Sequence, residues 1–477
     1  MNRQQRIFIS LISGSLKVLA MTVILGMIAY AQNPVPQIAG PALPMAVAPG
    51  SGAFTLSVYG ANFVPGAVVN WNGQARSTTF ISARELQAQI LASDVAAPTA
   101  GVITATNPGP GNGNSTSSYA QIEVHTPTAA IVPNRPTAYY VDPLTIVPAA
   151  FNGNGVLDFL GIAVEGVAIF AGNGKGTFQG LVTLGPPSYG SGGVAYGDFN
   201  GDGIEDVVYA SGNANSQPQL SVMLGDGNGL YHLGSTFGNY GAAVTVADFN
   251  GDGKLDIAAI DGSVNIYLGN GDGTFQQGQS FVFGGSSIFA GDFNGDGKLD
   301  LVVWSPNILS NKAVLALLVG NGDGTFQAPV TILGTAHSQG CQTELVVSDF
   351  NADGNLDVAF CNANQVVVLM GKGDGTFKKP TYISAGYGRA FSFAAGDFNS
   401  DGRVDLVSSH VVFDYQFWTM LGNGDGTFQP KQVLKHLPGA YTGENGIVSG
   451  DFNSDGLLDL LLQPGLGVPV MYLQHHQ

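Results

Sequence analysis

Residues 291–303 read GDFNGDGKLDLVV, and Asp292, Asp296 and Asp300 fall within nine residues, set among Gly and Asn. Carboxylates this close repel one another, so the stretch needs a reason, and it recurs. DFNGDGIED begins at Asp198, DFNGDGKLD at Asp248 and again at Asp292, DFNADGNLD at Asp349, DFNSDGRVD at Asp397 and DFNSDGLLD at Asp451. A degenerate copy, AFNGNGVLD, begins at Ala150 and makes seven. Successive starts lie 48, 50, 44, 57, 48 and 54 residues apart. A second motif alternates with the first: GNGKGTF from Gly172, GNGDGTF from Gly269, Gly320 and Gly422, GKGDGTF from Gly371, and a weaker GDGNGLY from Gly225. Each follows an apolar run such as SVMLG or VNIYLG.

One unit, residues 242–284, reads as four short strands: AAVTVADF, the Asp-rich turn, LDIAAI, SVNIYLG, the GNGDGTF turn, and a short outer strand. β-branched and apolar residues fill the strands, while Gly, Asn and Asp fill the turns. Four antiparallel strands per period of about 50 residues describe a β-propeller, and seven units predict seven blades. The last unit stops after its third strand, VPVMYL, and TAYYV at 137–141 precedes the first unit. These residues are expected to supply the missing outer strand of the last blade and cover its open edge.

In D-x-N-x-D-G-x-x-D, side-chain oxygens come from positions one, three, five and nine, and the Gly at six permits a sharp turn. Oxygen donors without Cys or His select Ca²⁺ over zinc or copper. An EF-hand is excluded, because position twelve is never Glu and strands flank the loop. The plain alternative is an Asp-Gly turn with no metal. At the first copy Ala150 and Asn154 replace two acids, so that loop is expected to be empty or weak. The Phe at position two of every copy reads as core.

The formal net charge is −17, which argues against nucleic acid and anionic membrane surfaces. Six full loops hold 18 of the 34 acids at positions one, five and nine. At the N-terminus Arg3 and Arg6 precede an apolar run, and Ala29-Tyr30-Ala31 offers a cleavage site, so residues 1–31 read as a signal peptide. Lys17 interrupts that run and disfavours a stable span, the alternative being a retained anchor. Removing the segment takes away three basic residues and no acid, so −17 becomes −20, and six Ca²⁺ would bring it to −8. The mature chain is then secreted, extracellular or displayed at the cell surface, the periplasm included. The two cysteines, Cys341 and Cys361, flank one hairpin and are a candidate disulfide, with two buried thiols the alternative.

The repeats resemble the FG-GAP/VCBS family, the calcium-bearing propeller repeats also found in integrin α-chain heads, over about residues 135–477. The resemblance implies that Asp198, Asn200, Asp202 and Asp206 are Ca²⁺ ligands. It implies the same for Asp248, Asn250, Asp252 and Asp256, for Asp292, Asn294, Asp296 and Asp300, and for Asp349, Asn351, Asp353 and Asp357. Asp397, Asn399, Asp401 and Asp405, and Asp451, Asn453, Asp455 and Asp459, complete about six structural sites. Residues 34–125 read as a small β-sandwich and resemble the IPT/TIG immunoglobulin-like family through G-x-N-F (60–63), V-x-W-N-G (69–73) and T-N-P (106–108), with Trp71 a core residue. Residues 126–136 form a short, stiff linker to the propeller at 137–477.

Three functions compete. The first is a secreted binding or adhesion module for an extracellular polysaccharide or protein. Its ligand face would be the rim opposite the Asp loops, where Tyr189, Tyr240, Tyr387 and Tyr441 recur beside Gly; the alternative is that these rings cover blade junctions. The second is a polysaccharide-active lyase or hydrolase, for which no catalytic residue stands out: H-E-x-x-H, G-x-S-x-G and a phosphate loop are all missing. His337 and His410 fall in candidate loops of that face without partners that would mark catalysis. The third is a purely structural surface protein.

Overall fold

A computed structural model describes residues 33–38, 42–109, 120–126, 137–138, 145–149, 151, 156–163, 166–185, 193–211, 219–227, 229–239, 243–307, 312–336, 345–362, 365–384, 389–411, 415–437, 445–464 and 470–474. These residues form strands and turns and no helix. Seven four-stranded antiparallel sheets follow one another from residue 137 among the described residues.

Sheet three shows the plan. Ala243–Ala247, Asp256–Ile260, Val264–Gly269 and Phe275–Phe281 pair in chain order. The second strand is buried throughout, because neighbouring sheets cover both of its faces. It therefore reads as an unbroken apolar run rather than an alternation. The fourth strand is an edge, largely exposed and written in Gln and Ser. A register shift between Asn265 and Tyr267 falls between the third and fourth strands, which increases local twist.

The innermost strands of the seven sheets are Thr145–Ala149, Val194–Gly197, Ala243–Ala247, Ser287–Gly291, Leu345–Ser348, Arg389–Gly396 and Asn445–Gly450. Each adjoins the next in this order, and the last adjoins the first. The architecture is thus all-β and propeller-like. Sheet seven draws its outer strand from ahead of the ring: Thr137 and Ala138 pair antiparallel with Met471 and Val470.

The position-two Phe residues, Phe151, Phe199, Phe249, Phe293, Phe350, Phe398 and Phe452, are all buried. The second motif explains their place. Its Phe packs edge-on against the position-two Phe of the preceding sheet: Phe275 on Phe199 at 5.5 Å, Phe326 on Phe249 at 5.4 Å, Phe428 on Phe350 at 5.8 Å. Edge-to-face pairs at this spacing are favourable beyond their buried area. The backbone repeats the link, since Gly273 N–H donates to the Phe199 carbonyl at 3.0 Å and Gly324 N–H to that of Phe249 at 3.0 Å. Gly176 N–H reaches Phe452 at 3.1 Å, from sheet one to sheet seven.

The N-terminal unit is two sheets on one core. Gln37–Ile38, Phe54–Ala61, Glu85–Ile90 and Thr78–Ser82 make the first. Ala46–Val47, Ala120–Val124, Thr99–Thr106, Val68–Trp71 and Gln74–Ala75 make the second. Leu56, Val58, Leu86, Ile103 and Ile122 fill the space between them with Trp71. Gly101 lies under the Trp71 ring, where a Cβ would come within 2.3 Å of the indole. Tyr189, Tyr240, Tyr387, Tyr441, Cys341 and the stretch 127–136 lie outside the described residues, so the tyrosine-lined face, the disulfide pairing and the linker do too.

Candidate metal centres

Each Asp loop joins the first and second strands of its sheet, and the turn follows from local side-chain chemistry. Asp198 accepts the backbone N–H groups of Gly201 (2.7 Å), Asp202 (3.1 Å) and Gly203 (2.8 Å). Asn200 Oδ1 accepts Asp202 N–H at 2.9 Å, and Asp202 Oδ1 accepts Ile204 N–H at 2.8 Å. The same bonds recur in the other five loops with small changes, as in Asp248 with Gly253 at 2.9 Å and Asp451 with Gly456 at 2.8 Å. Position six is left-handed throughout, for example Gly297 at φ 80° and Gly456 at φ 88°, where Gly carries no penalty.

Position nine differs from the other three. Asp256 Oδ2 accepts Phe249 N–H at 2.9 Å, and Oδ1 accepts Gly269 N–H at 2.8 Å, Gly269 being the first residue of the second motif. Asp206, Asp300, Asp357 and Asp405 bond Gly225, Gly320, Gly371 and Gly422 in the same way, at 2.7–2.8 Å. In sheet seven Asp459 bonds Gln474 N–H at 2.8 Å. All six of these carboxylates are fully buried. In sheets two to six they are struts that tie the Asp loop to the second motif of the same sheet, and in sheet seven the strut runs to Gln474. The degenerate copy supports this: Ala150 and Asn154 have lost their acids, yet Asp158 is kept, fully buried and bonded to Gly172 N–H at 2.8 Å.

The four predicted oxygen-bearing residues of each loop thus lie together, and the six loops stand as separate sites. The side-chain oxygens are turned to backbone donors, and among the described residues no three His, Cys, Asp or Glu side chains stand in a ready-made metal cage. The donor set and the charge nevertheless fit a hard cation. Burial, reinforced by the acids at positions one and five, pushes Asp256 and Asp405 up to about 8 and Asp206, Asp300 and Asp357 up to about 7. Asp459 is likewise pushed up to about 8. Buried carboxylates crowded in this way are relieved by a bound cation. The second-motif acids behave oppositely. Thr274 donates its hydroxyl and N–H to exposed Asp272 at 2.5 and 3.0 Å and holds that carboxyl low.

The N-terminal sandwich sits on this rim. Val35 N–H donates to Asp248 Oδ2 at 2.9 Å, and Asn62 Nδ2 donates to the Asp248 carbonyl at 2.9 Å. Arg84 Nε stands 3.5 Å from Asp292 Oδ2, and its Nη2 donates to the Gly354 carbonyl at 3.1 Å. Glu123 accepts the Ser400 hydroxyl and, at 3.2 Å, Leu458 N–H. His125 Nε2 donates to the Asp455 carbonyl at 2.7 Å. Apolar residues join in: Met45 enters a core cluster with Phe350 and Trp418, and Val35 one with Phe199. Sequence reading missed every sandwich residue of this contact: Val35, Met45, Asn62, Arg84, Glu123 and His125. Asp158, kept where its neighbours are lost, was the one visible sign that position nine has its own task.

The model of the FG-GAP-like repeat matches residues 151–209, 198–259, 257–303 and 349–408. Those four segments are similar to the FG-GAP-like repeat. The matched segments cover the degenerate loop from Phe151 on, the loops from Asp198 through Asp300 and those at Asp349 and Asp397. Among solved structures, the chain is similar to an Agrocybe aegerita lectin described as recognising non-reducing terminal N-acetylglucosamine. Identity is 18%, covering 69% of this chain and 86% of that one, at a TM-score of 0.45. It is also similar to an auxiliary nutrient binding protein from Bacteroides ovatus, at 12% identity, 93% and 99% coverage and a TM-score of 0.37. No curated protein matches its sequence.

Proposed function

We propose that this chain is an extracellular binding module: a seven-bladed FG-GAP/VCBS propeller stabilised by calcium and joined to an IPT/TIG-like immunoglobulin-type sandwich. The observation that carries the calcium reading is the set of six oxygen-only loops, each with a buried, crowded carboxylate at position nine. The oxygens of positions one, three, five and nine would hold the ion, together with the carbonyl of position seven. Calcium would supply the positive charge that lets these acids stay ionised at neutral pH. For an extracellular module with a Kd of about 0.1 mM in about 1 mM calcium, each site would add about 1.4 kcal/mol. The role is structural.

The partner is a polysaccharide or a protein. With the sandwich seated on the Asp-loop rim, an external ligand has the opposite rim, where the order of the sequence motifs is expected to put Tyr189, Tyr240, Tyr387 and Tyr441. The reading is tested by screening the mature chain against polysaccharides, cell-wall polymers and surface proteins, in calcium and in chelator, with product release followed. Retention in calcium without cleavage is expected. Cleavage would replace the binding module with an enzyme, and no retention on any target would leave a scaffold role.

A further inference from the structure

In one of the six loops the sandwich sets a cation beside the position-one acid. Arg84 Nε lies 3.5 Å from Oδ2 of Asp292, the position-one acid of the sheet-four loop. Among the described residues, this is the only position-one acid with a basic side chain at ion-pair distance. The guanidinium is held in place from the adjacent loop, where Nη2 bonds the Gly354 carbonyl at 3.1 Å and Asn355 Oδ1 at 3.4 Å. Its backbone is fixed too: the Arg84 carbonyl accepts Gly60 N–H at 2.9 Å. The loop receives this turn closely. Asn62 N–H donates to the Gly297 carbonyl at 3.3 Å, and a Cβ on Gly297 would lie 2.6 Å from that of Ala83. Asp292 itself is 2% exposed.

The other loops are met differently. Asp248 takes a neutral backbone N–H from Val35, and Glu123 brings a further acid to the loops of sheets six and seven. A guanidinium at a buried carboxylate is a fixed, planar positive charge that resists deprotonation. A divalent ion in the same loop would have to share the site with it or displace it.

We infer that Arg84 is the resident cation of the sheet-four loop, so that the sandwich supplies there the charge that a metal ion supplies in the other loops, and calcium and docking compete at this one site. The inference rests on the calcium reading for its competitive part and on Arg84 and Asp292 alone for its pairing part, so the two are measured separately. In chelator, thermal melts of the full mature chain are taken for Arg84→Gln, Asp292→Asn and the double variant. Each single change is expected to lower Tm by about 2–4 °C, and the double by no more than the larger single. Additive shifts overturn the pairing.

Calcium titration with metal analysis then reads stoichiometry. Asp292→Asn is expected to leave the bound calcium unchanged, Asp451→Asn to remove one equivalent, and Arg84→Gln to add one. Loss of an equivalent in Asp292→Asn overturns the competition. A wild-type chain that binds no calcium overturns the calcium reading and the competition together, while the melts in chelator still decide the pairing. Hydrogen exchange over Thr78–Ser82 and Glu85–Ile90 shows whether the variants remain folded and docked. If Arg84→Gln undocks the sandwich, Arg84→Lys replaces it: a retained charge without the fork should keep the loop free of calcium, and a gained equivalent overturns the inference.

Discussion

The position of a carboxylate in the Asp loop decides what it holds in the fold. Position five is at the surface; Asp252, for example, is 40% exposed and bonds only its own loop. Position nine is buried and bonds two backbone N–H groups from different turns, as Asp256 does with Phe249 and Gly269. Replacing Asp256 by Asn sets an NH₂ against one of those N–H groups and leaves a buried donor unsatisfied, at a cost of about 1–3 kcal/mol. Asp252→Asn removes a surface charge and should stay within about 0.5 kcal/mol when no metal is bound. Denaturant unfolding of both variants in chelator isolates the structural task of position nine from any part it has in holding an ion, and equal losses would show that it has no structural task of its own. The distinction was half legible in the sequence. D-x-N-x-D-G-x-x-D shows four oxygen-bearing positions and nothing about which face the backbone. Only Asp158, retained beside Ala150 and Asn154, separates the last position from the others.

At the level of strands and turns the sequence was largely readable, because the cues are local. Gly at left-handed positions, Asn and Asp bonding residues two to five along the chain, and apolar runs between them define each sheet without reference to the rest of the protein. The pairing of the two motifs across sheets was not readable, since Phe249 and Phe326 are 77 residues apart and nothing local marks them as neighbours. The sandwich has a similar long-range element. Arg76 forks onto Asp94, with Nε to Oδ2 at 2.8 Å and Nη2 to Oδ1 at 2.7 Å, tying the Thr78–Ser82 edge to the turn that follows Ile90. Burial by itself would raise the Asp94 carboxyl, but the Arg76 hydrogen bonds and charge and the Leu91 N–H outweigh it and hold it below its ordinary value. A depressed carboxyl contributes stability that is present above its unfolded value of about 4 and lost as pH falls through the folded value. Asp94→Asn should therefore be less stable than the parent at pH 6, by roughly 1.5–3 kcal/mol, and the gap should close toward pH 3. Denaturant melts across this range measure it, and a gap that does not narrow at all as the pH falls below 4 would mean that packing, not charge, is what the substitution disturbs.

For the molecule as a whole, two features join the parts: the strand exchange that completes sheet seven and the seating of the sandwich on the Asp-loop rim. The first follows from the unit count and from a third strand with no partner. The second was invisible because its contacts are single residues, Val35, Asn62, Arg84, Glu123 and His125, scattered over 91 positions with no period. Both features make a prediction about a cut chain. A protease site placed between residues 139 and 144 would leave the sandwich and the strand Thr137–Ala138 on one fragment and the rest of the propeller on the other. Two residues of ladder, Thr137 with Met471 and Ala138 with Val470, are too short to hold a strand in water by themselves. The docked face adds Met45 and Val35 in the propeller cores and at least two bonds to a charged or buried carboxylate, at Asp248 and Asp292. Covalent connection contributes only an effective concentration in the millimolar range, so an interface of this kind should survive its loss. The cut chain is expected to elute as one particle at micromolar concentration and to melt in a single transition. Two separate species on gel filtration would mean that the rim is covered only while the tether holds the sandwich there, and the Asp loops would then be open to other partners.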